Sequence, residues 1–274
     1  MQNFYLFSID LEDVRENVNN GFIYEDRVVE NTRKYINWLS KINAKCTFFV
    51  VGRVAERHPD LIREIIDSGH EIACHSYKHW TIDKMSPDEF RIDLEKNIHF
   101  LSKAGANQIN GFRAPVFSLT DDTSWAYDEL IKLGFTYSSS VLPAKNPLFG
   151  WDGFGNAPKI VKNNFWELPI SLNNSKFLKV PLYGGIYFRV LPYFYIKYCI
   201  KKNLSNYESI FSYFHPYDID NKQEKFMHDG INNNIFLNYL MYYNRNNVLD
   251  KLNNFINDFN LKITTYSSYI ENKL

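Results

Sequence analysis

Short apolar or β-branched runs alternate with helix-length amphipathic segments along this chain, and that alternation constrains its fold more than any other feature. Residues 4–10 (FYLFSID), 46–52 (CTFFVVG), 70–76 (HEIACHS), 109–118 (INGFRAPVFS) and 135–140 (FTYSSS) read as strands. Residues 164–172 (NFWELPISL), 209–218 (SIFSYFHPYD) and 262–268 (KITTYSS) extend the series to eight. Helices are predicted over 28–42, 58–69, 86–105 and 119–134, with a last one near 248–259. Ser86, Pro87 and Glu89 spell a capping box with proline at the first helical position. Strand–helix alternation implies a parallel sheet. No Gly-rich phosphate loop follows the first strand, which argues against a dinucleotide fold. Seven or eight such units predict an α/β architecture, a distorted (β/α)7-8 barrel. A single catalytic domain over 1–274 is expected, with an elaborated loop region at about 142–202, where alternation weakens and Pro and Gly accumulate.

In a barrel of this kind the chemistry sits at the strand C-termini. The polar residues Asp10, His75, Arg113 and His215 fall at those places. His75 and His79 are four residues apart, a spacing that puts two imidazoles on one face of a helical turn, within reach of one zinc ion. The glutamate of an HExxH motif is missing, so a zincin is disfavoured. A catalytic zinc needs a third protein ligand, and Asp10, Glu12 and Asp13 stand together after the first strand. Residues i and i+2 of a strand share a face, so Asp10 and Glu12 are placed to converge. Arg113 offers a fixed fork to orient a carboxylate. Pro115 fixes a turn that points backbone N–H groups near Val116 and Phe117 at the same mouth. Cys74 precedes His75 on a strand, so its side chain points the other way, as a buried thiol. His58, His70, His99 and His228 read as structural or surface residues.

An acidic pair after strand one, H-S-x-x-H after strand three, R-x-P after strand four and a late histidine after strand seven: taken together, these motifs resemble the polysaccharide deacetylases of carbohydrate esterase family 4, the NodB-homology domain. The resemblance covers roughly residues 4–220. "FSIDLEDV" departs from the usual T-F-D-D-G and is similar to the D-x-E variant of a bacterial subgroup that includes peptidoglycan-deacetylase-like proteins, as are "GGIYFRVLPY" and "FHPYDID". It implies a metal-dependent hydrolase that removes an N-acetyl group from an amino sugar. It also implies Zn2+, or another divalent metal such as Co2+, Ni2+ or Fe2+, held by His75, His79 and a carboxylate that is Glu12 or Asp13. Asp10 takes the place of the catalytic base, Arg113 holds Asp10, and His215 is the general acid. An aspartate tunes that histidine in the family pattern; the sequence leaves its position open. Trp80 and Tyr187 are candidates for stacking on the sugar. A sugar O-acetyl esterase and a non-enzymatic sugar-binding protein on the same fold are the alternatives.

Charge excludes one class of partner: 31 basic residues balance 31 acidic ones, which gives no footprint for nucleic acid. Three cysteines make no disulfide framework, and the first ten residues lack a signal-peptide pattern, so a cytoplasmic protein is expected. No stretch is long enough to span a bilayer. The expected substrate is then an N-acetylated sugar of a surface polysaccharide or its precursor, nucleotide-linked or lipid-linked. The segment 191–203 (LPYFYIKYCIKKN) reads as an amphipathic helix with Lys197, Lys201 and Lys202 on its polar side.

Overall fold

The computed structural model of the chain describes residues 2–146, 149–173, 179–228 and 231–273. Its strands, in chain order, are β1 (Asn3–Leu6), β2 (Ser8–Leu11), β3 (Thr47–Val50), β4 (Glu71–Cys74), β5 (Gly111–Phe112), β6 (Tyr137–Ser138), β7 (Lys159–Lys162), β8 (Phe165–Glu167), β9 (Ser209–Phe211) and β10 (Leu261–Ile263). They pair as two sheets of order β10-β1-β9 and β2-β3-β4-β5-β6-β8-β7, parallel throughout except for the β7–β8 hairpin at one edge. The helices are α1 (Val28–Lys41), α2 (Gly52–Arg57), α3 (Pro59–Asp67), α4 (Pro87–Lys103), α5 (Ala126–Lys132), α6 (Gly185–Val190), α7 (Tyr193–Leu204), α8 (Ile235–Tyr242), α9 (Val248–Asp258) and α10 (Tyr266–Glu271).

This is the distorted (β/α) barrel that the alternation predicts, and the distortions have local causes. The first strand is broken at Phe7: β1 pairs with β10, whereas β2 pairs with β3. One predicted strand thus serves two partners on the same side. Opposite, residues 168–171 close the gap without forming a regular strand. Leu168 N donates to Ser138 O (2.8 Å), Ile170 N to Val141 O (3.0 Å) and Ser171 N to Phe211 O (3.1 Å). Pro169 lacks the N–H that a ladder needs, which explains why strand 164–172 shortens to β8.

Leu6, Phe49, Ala73, Tyr137, Leu168, Ile170, Phe211 and Tyr266 fill the interior of the ring. Gly111 is required there: a Cβ on it would lie 2.0 Å from the Tyr137 ring. A second apolar layer, including Phe7, Ile9, Tyr35, Leu39, Phe48, Ile62 and Phe255, packs the strands against α1, α3 and α9. Val28, Tyr35, Ile36 and Leu39 form the buried face of α1.

Two further predicted elements need correction. The helix over 119–134 starts only at Ala126, because Thr123 Oγ1 accepts from Thr120 N (2.9 Å) and donates to Ser118 O (3.0 Å), which holds a turn instead. The last strand ends at Ile263. Thr265 then caps α10, accepting from Ser268 N, and Tyr266 enters the barrel floor with its ring stacked on Tyr137. Within the region at about 142–202, residues 147–148 and 174–178 lie outside those described; the remainder contains the hairpin, α6 and most of α7. In α7, Ile196, Cys199 and Ile200 face the core, while Phe194 and Tyr198 face solvent.

Candidate active site

Asp10 lies near the C-terminal end of β2 with its side chain inside the ring, and Arg113, which follows β5, reaches it past β3 and β4. Arg113 Nη1 donates to Asp10 Oδ1 at 2.6 Å and to Ser8 Oγ at 2.7 Å. Its Nε donates to Ser139 O (3.0 Å), and its Nη2 to Ser139 Oγ (3.0 Å) and Tyr266 Oη (2.8 Å). The guanidinium also lies 4.0 Å from the Phe49 ring centroid. This arginine is completely buried and every nitrogen of its fork is engaged, so the carboxylate it holds has one orientation.

Glu12, His75 and His79 present one ligand atom each, all within 4.8 Å of one another. The chain turns immediately after β2: Glu12 N donates to Asp10 O (3.1 Å), and both acids are buried at the mouth. Asp13 goes elsewhere. Its carboxylate takes Arg15 Nη2 (2.7 Å) and Arg57 Nη2 (2.9 Å), and it caps the short 3-10 turn that follows. Of the two carboxylates that the sequence left open, the structure therefore brings Glu12, and not Asp13, to the histidines.

The two histidines are close for a different reason from the one expected. Residues 75–79 form no helical turn. Ser76 and His79 both have left-handed backbones (φ 58° each), and the loop is pinned from below: Asp93 on α4 accepts from Tyr77 N (2.6 Å) and Lys78 N (3.1 Å). Ser76 Oγ accepts from His79 N (2.9 Å). The rings meet edge to face, with centroids 5.0 Å apart.

The three side chains fit a divalent cation in their second shell and their charge state. His75 Nδ1 is 2.7 Å from Arg113 O, so Nδ1 carries the proton and Nε2 keeps its lone pair. Burial pushes His75 down to about 4, which keeps that ring neutral. Burial alone would raise the Glu12 carboxyl; the charge and hydrogen bond of His79 outweigh it and hold it at about 2. His79 Nε2 is 2.8 Å from Glu12 Oε2, and a cation held by the three would take the place of the proton that this pair shares.

His215 faces the same carboxylate from the segment after β9, its Nε2 3.7 Å from Glu12 Oε1. Its Nδ1 is 3.0 Å from Asp218 Oδ2, and the same oxygen accepts from His215 N (2.8 Å). Tyr217 stacks on the imidazole at 4.6 Å and 7°. Although burial disfavours the charge, the Asp218 hydrogen bond and Glu12 raise His215 to about 9. Asp218 itself is buried. Burial opposes its charge too, but Arg189 (Nε to Oδ1, 2.9 Å) and His215 hold it well below the usual carboxylate range. Asp218, Arg189 and Tyr217 are the residues that sequence reasoning missed. Asp218 had a signal: in H-P-Y-D, proline at the first helical position and an acid two residues on form a capping box around His215. Arg189 had none.

Around this centre, Val116 lies exposed on a strained turn, with left-handed backbones at Val116 (φ 56°) and Phe117 (φ 54°). Phe117 N donates to Ala114 O at 3.1 Å, so of the two N–H groups expected to serve the site, that of Phe117 is already used. Trp80 is half exposed next to His79, under Lys78 Nζ at 4.1 Å. Tyr187 is half-buried against the outer core. Cys74 is a buried thiol, as expected. His70 and His228 are buried, and His58 pairs with Asp26.

Residues 20–138 match the family described as polysaccharide deacetylase, and residues 139–267 match one described as a domain of unknown function (DUF3473). The border falls beside β6, within one sheet. The first segment contains His75, His79 and Arg113; the second contributes His215, Asp218 and Arg189. A peptidoglycan-N-acetylglucosamine deacetylase of Bacillus cereus is 29% identical over 37% of this chain and 37% of its own length, so the match spans well under half of that protein. A Mycobacterium smegmatis protein, solved as an assigned polysaccharide deacetylase, superposes with a TM-score of 0.61 at 19% identity, over 97% of this chain and 90% of its own. A Bacillus anthracis protein described as a carbohydrate esterase family 4 pseudoenzyme superposes with a TM-score of 0.55 at 13% identity, over 97% of this chain and 65% of its own. At these identities the structural likeness concerns the fold.

Proposed function

We propose that this chain, whose residues 20–138 match the polysaccharide deacetylase family, hydrolyses the N-acetyl group of an amino sugar, releasing acetate and leaving a free amine. The observation that carries this reading is the placement of His215, hydrogen-bonded to Asp218, across from the Glu12–His75–His79 cluster.

A divalent cation held by Glu12, His75 and His79 supplies, when bound, acidification of water and polarisation of the acetyl carbonyl. Asp10 accepts the proton of the attacking water; Arg113 fixes the direction of its free lone pairs. The Val116 turn presents backbone to the developing oxyanion. His215 is charged at neutral pH because Asp218 and Glu12 outweigh its burial, so it has a proton to give to the departing nitrogen. An amide needs that proton, since an unprotonated amine is a poor leaving group. Tyr217 holds the imidazole plane, and Trp80 serves as a rim surface for the sugar.

The substrate we infer is an N-acetylated sugar of a surface polysaccharide or of its precursor, carried on a nucleotide or a lipid and met in the cytoplasm. Zn2+ is the metal of choice for an N,N,O set, with Co2+, Ni2+ and Fe2+ as substitutes. Among the described residues no helix is long and apolar enough to cross a membrane. A sugar-binding protein without turnover is the second reading, and Glu12 standing in place of the usual aspartate favours it. Acetate release from N-acetylglucosamine oligomers, measured against an O-acetylated sugar after zinc loading, separates the three. N-acetyl release supports the proposal; O-acetyl release alone makes the protein an esterase. Neither, with metal bound, leaves the binding protein.

A further inference from the structure

Glu167, the last residue of β8, is a fully buried acid that the chemistry above does not use. Its Oε2 accepts from Tyr127 Oη on α5 at 3.2 Å. Its Oε1 accepts two consecutive backbone N–H groups, from Ser140 at 2.8 Å and from Val141 at 3.0 Å. One side-chain oxygen thus fixes the backbone of the segment that follows β6.

Those two residues carry both feet of the strained turn at the mouth. At one end Ala114 N donates to Ser140 Oγ at 2.8 Å. At the other end Ser118 forms an antiparallel bridge with Val141. Between the feet lie the left-handed backbones of Val116 and Phe117. A non-glycine residue in that region, above all a β-branched one, is strained and persists only where its surroundings over-determine it. The same segment holds Arg113: Ser139 O accepts from its Nε and Ser139 Oγ from its Nη2, at 3.0 Å each.

We infer that Glu167 is a positioning residue for the reaction: it clamps Ser140 and Val141, and through them sets the 114–118 turn and the Arg113 fork that holds Asp10. This rests on the reading of the chain as a deacetylase and adds what keeps its turn in the strained form. The clamp also crosses the border between the two matched segments. Glu167, Ser140 and Val141 belong to residues 139–267, whereas Ala114 and Ser118 belong to residues 20–138. The segment described as a domain of unknown function therefore shapes a loop of the deacetylase segment.

The clamp needs an acceptor at the right reach and does not need a charge. Glutamine at 167 keeps one oxygen for the two N–H groups and can donate its amide to Tyr127. Methionine fills the same space and leaves both buried N–H groups without an acceptor, which is costly. Ser140→Ala cuts only the link to Ala114 and leaves the Glu167 bonds in place. These three variants separate the clamp from bulk stability.

Two measurements test it: amide hydrogen exchange without added metal, and turnover of the N-acetylglucosamine hexamer after zinc loading. Exchange at Ser140, Val141 and Ala114 should rise in Glu167→Met, and at Ala114 in Ser140→Ala. It should rise there by more than at Glu71 N, which donates to Cys46 O at the far end of β4. Glu167→Gln should exchange like wild type. In turnover, Glu167→Met and Ser140→Ala should lose about 10–100-fold in kcat, with KM and zinc content little changed, and Glu167→Gln should restore the rate. If Glu167→Met does not fold, Glu167→Asp withdraws the oxygen by one methylene and is read in the same way. An equal rise at all these amides, Glu71 included, overturns the proposal, and so does wild-type kcat in Glu167→Met; Glu167 then only stabilises the fold. A Glu167→Gln variant as slow as Glu167→Met also overturns it, in favour of an effect of charge. If wild type releases no acetate, the deacetylase reading fails, and exchange at Ala114 alone decides whether the clamp holds the turn.

Discussion

One carboxylate oxygen of Asp218 accepts two hydrogen bonds from His215, from the backbone N at 2.8 Å and from Nδ1 at 3.0 Å. A histidine bound this way cannot rotate about χ2 without breaking a bond that its own backbone shares. Arg189, fully buried, anchors the other oxygen. The acid of the proposed reaction is thus fixed by a neighbour three residues away and by a cation from α6.

Asp218→Asn should preserve metal content and lower kcat on an N-acetyl sugar by about 10²–10³-fold, within the range of general acid catalysis. KM should change little, and an activated aryl acetate should lose much less. His215→Ala should give the same pattern with a larger loss on the amide. Equal losses on amide and aryl ester would remove the acid role from His215.

Glu12→Gln should weaken zinc binding, and His75→Ala or His79→Ala should remove most of the metal while leaving the fold intact. Asp13→Asn should leave metal content unchanged and lower the melting temperature, since its partners are Arg15 and Arg57. Elemental analysis and thermal melts check both; loss of metal in Asp13→Asn would reverse the assignment of the third ligand.

Arg113→Ala should be strongly destabilising. It removes the partner of Asp10 and leaves that carboxylate, Tyr266 Oη and Ser139 Oγ facing a void in the barrel. Breaking a buried pair on one side costs about 3–5 kcal/mol. Asp10→Asn should cost less stability, retain metal and abolish turnover. Denaturant titration of both, with elemental analysis of the second, measures the difference; metal loss in Asp10→Asn would exchange the roles of Asp10 and Glu12.

Burial lowers His70 to about 4, with its ring edge on Phe48 and its Nδ1 accepting from Cys46 N at 3.3 Å. The neutral form is the one that the fold accepts. Above the ordinary histidine range this contribution is complete. As pH falls from about 6.5 toward 4 the unfolded chain takes up a proton that the folded chain refuses, so stability declines. His70→Gln should flatten that part of the stability–pH curve. An unchanged slope in the variant would show that His70 does not carry it.

The sequence by itself determined the order of elements and the places where chemistry gathers. Hydrophobic alternation is a local signal, and strand ends are local too. Asp10, His75, Arg113 and His215 could therefore be assigned to the barrel mouth before any contact was known. The capping box at Ser86 was equally legible, because its two hydrogen bonds lie within three residues. What only the tertiary structure decided was which neighbours the polar groups face. Glu12 and Asp13 are adjacent and chemically alike. The choice between them depends on Arg15 and Arg57 capturing one and on His79 and His215 facing the other, and Arg57, His79 and His215 are all distant in the chain. Arg189 reaches Asp218 across 29 residues. The His75–His79 spacing suggested a helix, yet the pair is held by a left-handed loop that Asp93 pins from another helix. Side-chain partners of this kind are set by where the ring of strands closes. That closure depends on long-range hydrogen bonds that no local pattern records.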